Sequence, residues 1–332
     1  MVRSAFELPD LLGRCPTPQR PTNPNCSYVE KRFDEWLNTC PWMLAKERES
    51  IRRCVIPLFA ACWYRKESLE VLLQTTFYLF QFAYIDDKGD VDDLESARAH
   101  YSLCLDVWNG LEGNSPLEPF SRVISDASTR SLSVIHERYH KGILATNAEF
   151  PQAMVKEVAL RTAAQPGDVG FRTLAEYFAL RRKSVGVRPL LTYLRGLRDL
   201  EIPQTVLQRP EMEAAETALI DTVILSNDLY SYKKELISNG APENILTVML
   251  RDPQLQINDL QTAIDRVAIM FDAALAQLEK SRTEMGSGDP VVTEYFEGMF
   301  DFLVGNIEWC LSCPRYASLG GEEEKMPAFV AL

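Results

Sequence analysis

The sequence predicts an all-α fold, a single-domain helical bundle, and three observations lead to this prediction. From residue 28 onward apolar residues recur at helical spacing, and no stretch alternates apolar and polar residues as a strand does. The clusters rich in Gly, Pro, Asn and Ser that separate the helical segments are too short to be domain linkers. No pair of helices recurs at a fixed period. We therefore expect an extended proline-rich segment at 1–27 and one helical domain at 28–332.

The candidate helices follow the proline-rich segment in order, with turn residues between them. They are expected at 28–38, 44–64, 68–86, 91–112, 117–145, 150–164, 171–185, 189–200, 204–234, 243–250, 256–283 and 289–311. Helices 68–86 and 289–311 are apolar on most sides, which predicts central positions in the bundle. Bundles of this kind commonly hold sites between facing helices.

Composition excludes several classes of protein. With 46% apolar and 25% charged residues, the chain of 332 residues has the composition of an ordinary folded protein. Its net charge of −12 argues against binding to nucleic acid or to an anionic membrane surface. The eight cysteines include one CxxC, at Cys310 and Cys313, but no second pair that would complete a zinc site. Neither a signal peptide nor an apolar run of membrane-spanning length is found, so we interpret the protein as cytoplasmic.

Three carboxylates stand at the end of the candidate helix 68–86. Asp86, Asp87 and Asp90 are unfavourable at the C-terminal end of a helix dipole and repel one another unless a cation lies among them. Carboxylate oxygens suit hard ions such as Mg²⁺, which completes its shell with water and substrate phosphate. This cluster therefore predicts a metal site, with a solvated acidic helix end as the alternative interpretation.

A second set of oxygen ligands lies on the candidate helix 204–234 and just beyond its end. Asn227, Ser231 and Glu235 are spaced by four residues, so an amide, a hydroxyl and a carboxylate share one helical face. This spacing predicts a second metal site. A solvated polar stripe is the alternative interpretation.

Together the two motifs resemble the aspartate-rich DDxxD and the (N/D)DxxSxxxE triad of class I terpene synthases. Lys234 directly before Glu235 resembles the fungal sesquiterpene synthases in particular. The resemblance extends from about Tyr28 to Tyr316. It implies a class I terpenoid synthase fold with the active site in the bundle mouth.

Arg181, Arg182 and Gly186 lie where this family keeps its diphosphate sensor and the helix break that follows it. A guanidinium grips phosphate through two hydrogen bonds at once. Gly186 followed by Pro189 predicts the break, because Gly permits unusual dihedral angles and Pro disfavours helix just before itself. If Arg182 is the sensor, Gly186 is the effector and Val185 the linker, and if Arg181 is the sensor the assignment shifts by one. The Lys-Ser that follows the Arg pair departs from the family pattern, and surface solvation of the Arg pair is the alternative interpretation.

Further residues are assigned by the same resemblance. Arg315 and Tyr316 correspond to the pair that closes on the diphosphate, and Lys234 joins them and the sensor in binding it. Phe82 and Trp309 are expected to line a substrate pocket that shields a carbocation. Phe59, Trp63, Tyr78 and Leu79 are further candidates for that wall, although each alone is equally well explained as core.

The implied function is that of a sesquiterpene synthase, which ionises farnesyl diphosphate with three Mg²⁺ ions, Mn²⁺ being able to substitute, and cyclises or quenches the cation. The partners implied are this small prenyl diphosphate and no nucleic acid or membrane, with the protein a monomer or a homodimer. The alternatives are a terpene synthase acting on geranyl diphosphate, a chain-elongating prenyltransferase, which would carry a second DDxxD, and a non-enzymatic helical scaffold.

Overall fold

The computed structural model describes residues 5–16, 20–90, 92–110, 118–163, 173–239, 242–286, 288–316 and 329–331. Its described part is almost entirely helical, which confirms the predicted all-α class. The helices are α1 Cys26–Thr39, α2 Ala45–Arg53, α3 Ile56–Trp63, α4 Leu69–Gly89, α5 Leu94–Trp108, α6 Pro119–Leu132, α7 Glu137–Asn147, α8 Glu149–Ala163, α9 Leu174–Ser184, α10 Val187–Leu197, α11 Gln204–Leu207, α12 Pro210–Asn239, α13 Ile245–Arg251, α14 Leu260–Met285 and α15 Pro290–Ser312.

Helices α4 and α15 lie at the centre of the bundle, as the sequence predicts. Ser68 caps α4 by accepting a hydrogen bond from the Val71 backbone N at 3.4 Å, and Asp289 caps α15 through the Val291 backbone N at 2.8 Å. Most side chains of both helices are buried, since α4 packs against α3, α6 and α8 and α15 packs against α3, α10 and α12. Burial on most sides explains why both sequences are apolar all round.

Three predicted helices are each divided in two. The segment expected at 44–64 breaks at Val55, whose φ of 43° is left-handed, so that α2 ends and α3 begins in a new direction. The segment expected at 117–145 breaks between α6 and α7, where His136 caps α7 by accepting from the Arg138 backbone N at 3.3 Å. The segment expected at 204–234 breaks between α11 and α12, and α12 begins at Pro210. Pro57, at the second position of α3, and Pro210 are helix-start signals that mark two of the three breaks in the sequence. No Gly or Pro marks the break between α6 and α7.

The proline-rich segment lies against the bundle. Arg20 donates to Asp301 of α15 at 2.6 Å, and the Asn23 amide donates to the backbone oxygens of Tyr64 at 3.1 Å and Glu67 at 2.8 Å. Residues 1–4 and 17–19 of this segment lie outside the described residues.

Two three-residue strands, which the sequence did not predict, join the chain ends. β1 Ala5–Glu7 pairs antiparallel with β2 Phe329–Ala331. Three residues are too few to show a two-residue alternation, so periodicity could not detect either strand. Among the described helices, none combines the length and apolar character needed to cross a membrane.

Candidate active site

A cavity of about 180 Å³ opens between α3, α4, α8, α12, α15 and the junction of α9 with α10. Charged side chains form one part of its wall, and the apolar and aromatic part is formed by Ile56, Phe59, Trp63, Leu79, Phe82, Phe150, Met154, Leu190, Val223 and Trp309. The structure thus places Phe82 and Trp309 on the cavity, together with Phe59, Trp63 and Leu79.

Tyr78 lies elsewhere than expected. Its ring stacks on Tyr193 with centroids 3.7 Å apart, and its hydroxyl donates to Asn147 Oδ1 at 2.6 Å, so it belongs to the core behind the wall. Conversely, Phe150 and Met154 line the cavity from α8 and belong to no motif. They reach the cavity because α8 packs against α4, a tertiary contact that no local sequence pattern indicates.

Asp86, Asp87 and Asp90 gather at the mouth of this cavity, with their carboxylate oxygens within 4.8 Å of one another. Burial, followed by the charge of Asp90, raises the pKa of Asp86 to about 7. Asp87 accepts a hydrogen bond from Ser50 at 2.6 Å and forms an ion pair with Arg315 at 2.7 Å. Asp86 and Asp90 border the cavity and Asp87 lies behind them. Close, mutually repelling carboxylates fit a divalent cation.

The second motif faces the same mouth from α12. Asn227 and Glu235 line the cavity, and Glu235 accepts a hydrogen bond from the Asn244 amide at 3.0 Å. Ser231 lies between them on the same face, and its hydroxyl is buried with no hydrogen-bond partner among the described residues. Buried hydroxyls are normally paired, so an unpaired one in line with two other oxygen ligands fits a metal ligand.

The structure brings Arg181, and not Arg182, into the site. Arg181 lines the cavity and donates to Asn227 Oδ1 at 3.1 Å and Asp228 Oδ1 at 3.2 Å, while its Nε is buried and has no partner in the described part of the chain. Arg182 points away and forms a two-bond ion pair with Asp221, at 2.7 and 2.8 Å. The expectation that Arg182 contacts the diphosphate therefore does not fit this geometry, whereas its alternative, Arg181, does.

The expected helix break follows these arginines. α9 ends at Ser184, and Gly186 adopts a left-handed φ of 76° before α10 begins. Ser184 donates a short hydrogen bond to the buried carboxylate of Glu157, and Ser184, Val185 and Gly186 all line the cavity. If Arg181 is the sensor, the predicted assignment shifts by one, with Ser184 as the linker and Val185 as the effector. Gly186 supplies the turn, which a residue with a side chain adopts only under strain.

Arg315 and Tyr316 close the mouth after α15. Tyr316 accepts a hydrogen bond from the Asn227 amide at 3.0 Å, and its ring lies edge-on to Trp309 with centroids 5.5 Å apart. The Trp309 indole donates to the backbone oxygen of Cys54 at 2.8 Å, and Arg315 donates to the Cys54 thiol at 3.1 Å. These contacts attach the last described turn to the α2–α3 break at Val55.

Lys234 connects the two acidic motifs. Its Nζ lies 3.5 Å from Asp90 Oδ2, and Arg315 lies 3.4 Å from the same oxygen. Cations that suit a diphosphate therefore pair, in this structure, with carboxylates that suit metal ions.

Three charged residues of the mouth were missed by the sequence analysis: Glu157, Arg161 and Glu243. Arg161 donates to the Gly89 backbone oxygen at 2.7 Å, at the end of the helix that carries the aspartates, and lies 3.7 Å from Glu243. Burial and the neighbouring Glu157 raise the pKa of Glu243 to about 8, and burial raises that of Glu157. No recognisable spacing marks these residues, because α8 and the α12–α13 turn meet only in the fold.

Residues 79–277 match the family model described as terpene synthase family 2, C-terminal metal binding. Similar curated proteins include a Delta(6)-protoilludene synthase of Armillaria gallica, 25% identical over 95% of this chain and 90% of its own length. Another is sesquiterpene synthase Agr3 of Cyclocybe aegerita, 24% identical over 99% of this chain and 94% of its own. A germacrene A synthase of Nostoc punctiforme is 25% identical over 92% and 94%. The relatives therefore come from fungi and bacteria.

Solved structures agree with the fold. A hedycaryol synthase in complex with HEPES aligns with a TM-score of 0.76 at 21% identity, over 93% of this chain and 99% of that one. A linalool/nerolidol synthase of Streptomyces clavuligerus aligns with a TM-score of 0.76 at 17% identity, over 89% and 99%.

Proposed function

This chain belongs to the terpene synthase family and is an enzyme, and we propose that it converts farnesyl diphosphate into a sesquiterpene in a Mg²⁺-dependent reaction. The observation that carries the proposal is the shared mouth of the two oxygen-ligand motifs. Lys234 Nζ, on the triad helix, lies 3.5 Å from Asp90 of the aspartate cluster, and residues of both motifs line the same cavity, which also has an aromatic wall.

The family is metal-binding, and the residues at the mouth fit that property. Asp86, Asp90, Asn227, Ser231 and Glu235 would hold the ions, with Asp87 held beside them by Arg315. When bound, Mg²⁺ supplies Lewis-acid withdrawal of charge from the diphosphate leaving group. We propose three such ions, as the resemblance implies, with Mn²⁺ able to substitute.

The protein's own cations stabilise the departing diphosphate. Arg181 is buried and its Nε has no partner among the residues that the structure describes, so a diphosphate oxygen would satisfy it. Lys234 and Arg315 lie at the mouth and can transfer their hydrogen bonds from Asp87 and Asp90 to diphosphate oxygens. Tyr316 adds a hydroxyl at the same edge.

The apolar wall then protects the carbocation that ionisation leaves behind. Phe59, Phe82, Phe150 and Trp309 present rings to the cavity, which exclude water and offer their negative faces to a cation. The α9–α10 break lines the same cavity as Arg181, and Gly186 lies close to Phe150 and Phe82 of the wall. We therefore propose that binding of the leaving group at Arg181 is coupled to the position of the substrate chain.

The helices that line the cavity, namely α3, α4, α8, α9, α10, α12 and α15, come from the whole length of the predicted domain, which supports one catalytic domain spanning 28–332. We propose that this domain acts in the cytoplasm, as a monomer or a homodimer.

Incubation of the purified protein with farnesyl diphosphate and Mg²⁺, followed by mass spectrometry of extracted volatiles, tests the function. We expect C15 products, lost in both Asp86→Ala and Asn227→Ala. Turnover of geranyl or geranylgeranyl diphosphate alone would correct the chain length. A folded protein inactive on all three substrates would refute the proposal.

A further inference from the structure

Asn306 is a buried amide that faces the cavity from α15, one helical turn before Trp309. It is 2% exposed and lines the cavity wall, to which the apolar and aromatic residues named above also belong. Polar side chains buried in an apolar wall cost free energy unless each polar atom finds a partner. The amide nitrogen and the amide oxygen of Asn306 are therefore each expected to have a hydrogen-bond partner.

The orientation of the amide follows from its contact with Ser226 of α12. Ser226 Oγ lies 2.7 Å from the Thr222 backbone oxygen and 3.2 Å from that of Val223, so its single proton is donated within its own helix. The hydroxyl can then only accept from Asn306, whose Nδ2 lies 2.9 Å away. The amide nitrogen is thereby fixed on α12, and the oxygen is the free end.

No described residue donates a hydrogen bond to the Asn306 oxygen. Among the other neutral polar groups of the wall, the Trp63 indole Nε1 is a buried donor without a partner among the described residues, and it cannot substitute for an acceptor. The remaining ones have partners. Cys54 accepts from Arg315, Ser184 donates to Glu157, and Asn227 bonds with Tyr316. The amide oxygen of Asn306 is therefore a fixed acceptor dipole whose negative end has no partner in the wall.

The chemistry of the occupant decides what this oxygen binds. A farnesyl chain has no hydrogen-bond donor, so before ionisation it cannot pair with the oxygen. A buried water needs two to four polar partners, and the wall supplies one free acceptor here. A positively charged carbon needs only a dipole directed at it, and in a cavity of low dielectric constant that attraction is strong.

We propose that Asn306 is a specificity-determining residue, whose side-chain oxygen stabilises positive charge on the isoprenoid chain away from the diphosphate and so selects which carbocation persists. The inference rests on the proposed function for its substrate class. It adds a fixed dipole on α15, held by Ser226, to the stabilisation provided by the aromatic wall.

Binding measured by calorimetry tests the proposal without turnover. The probes are a farnesyl-sized trialkylammonium, which mimics the carbocation, and its neutral carbon isostere, each with Mg²⁺ and inorganic diphosphate. We expect Asn306→Leu to weaken ammonium binding about tenfold and to change binding of the neutral isostere less than about twofold. Ser226→Ala frees the Asn306 amide from its hydrogen bond without changing a residue of the cavity wall. It should also weaken ammonium binding, but less than Asn306→Leu does.

Product analysis with farnesyl diphosphate gives a second readout. Asn306→Leu should release diphosphate within about fivefold of the parent rate while changing its main product ratio at least about tenfold. The matched control Asn23→Leu removes a buried amide that does not line the cavity, and it should lower the melting temperature without changing that ratio.

Three results would overturn the inference. Equal loss of ammonium and neutral-isostere affinity in Asn306→Leu would show a role in packing alone. Unchanged product ratios in Asn306→Leu at the parent rate of turnover would show that the Asn306 oxygen does not determine which product forms. Loss only of alcohol products that carry ¹⁸O from labelled water, with hydrocarbon ratios kept, would show that Asn306 holds a water. The parent protein could also turn over no prenyl diphosphate and still bind the ammonium more tightly than the neutral isostere, with this difference lost in Asn306→Leu. That result would refute the proposed function and leave the inference that the Asn306 oxygen stabilises positive charge in the cavity.

Discussion

At the scale of single residues, Arg181 and Arg182 show how far one step along a helix separates two side chains. Neighbours on a helix differ by about 100°, so only one of them can face the cavity. Arg181 has 16% of its side chain exposed and contacts buried Asp228, whereas Arg182 is 39% exposed beside Asp221. Both could grip a phosphate by chemistry, and the packing of α9 decides between them.

Replacing each arginine by lysine therefore gives a matched pair of variants. Arg181→Lys should lower kcat/KM by about 10²–10³, because the ammonium cannot reproduce a two-bond grip on diphosphate at that site. Arg182→Lys should stay within about threefold, since its ion pair with Asp221 lies outside the cavity. Steady-state diphosphate release measures both. A larger loss in Arg182→Lys than in Arg181→Lys would reassign the sensor.

Protonation of the Glu243 carboxyl, which lines the cavity, makes the free energy of unfolding depend on pH. Its pKa of about 8 lies above the ordinary value of 4.5, so the folded state binds this proton more tightly than the unfolded state does. That stability is present in full below about pH 4.5 and is lost as pH rises towards 8. In metal-free protein, Glu243→Gln should reduce the fall in unfolding free energy between pH 5 and 8 by about 1 kcal/mol or more.

Urea unfolding at several pH values measures this slope. Glu284→Gln, a change of the same kind at a half-exposed carboxylate of α14, should leave it unchanged. Parallel pH profiles for the parent and Glu243→Gln would show that the carboxyl is charged in the folded protein.

At the scale of elements, the α9–α10 junction depends on one glycine. Gly186 has a φ of 76°, and a Cβ there would lie 3.3 Å from the ring of Phe150, which lines the cavity and packs edge-on against Phe82. Gly186→Ala should therefore destabilise the fold by about 1–2 kcal/mol and change the product ratio by displacing Phe150. Thermal unfolding and product analysis report the two effects.

Gly142 provides the control for this substitution. It lies inside α7, where a Cβ would meet nothing within 4 Å, so Gly142→Ala should stabilise the protein by about 0.5–1 kcal/mol and leave the products unchanged. Equal effects of the two substitutions would show that the junction imposes no special backbone requirement.

The sequence could predict elements better than the contacts between them. The helix that carries the aspartates and the face that carries the triad follow from local periodicity, and Gly186 signals its own turn. The break between α6 and α7 and the pairing of Asn306 with Ser226 depend on contacts between distant parts of the chain. A single sequence carries no local mark of such contacts, and for the same reason it left Arg181 and Arg182 undecided.

At the scale of the whole molecule, the mouth holds two charge systems that pair with each other. Lys234 contacts Asp90 and Arg315 contacts Asp87. A metal ion that binds the carboxylates must break these ion pairs, and a diphosphate that binds Lys234 and Arg315 must break the same pairs. Either ligand alone leaves one set of charges without a partner. When both ligands bind, each carboxylate pairs with a metal ion and each cation pairs with diphosphate. This predicts strong positive coupling between metal binding and diphosphate binding.

Thermal unfolding with Mg²⁺ alone, inorganic diphosphate alone and both together measures this coupling. We expect the combined rise in melting temperature to exceed the sum of the separate rises, and calorimetry to show Mg²⁺ binding about tenfold tighter when diphosphate is present. Lys234→Gln removes the contact with Asp90, so Mg²⁺ alone should bind more tightly and the coupling should shrink. Lys183→Gln, at an exposed lysine of α9, should behave as the parent. Additive shifts in the parent would mean that the two ligands bind independently, and the pairing of Lys234 with Asp90 would then have no part in assembling the site.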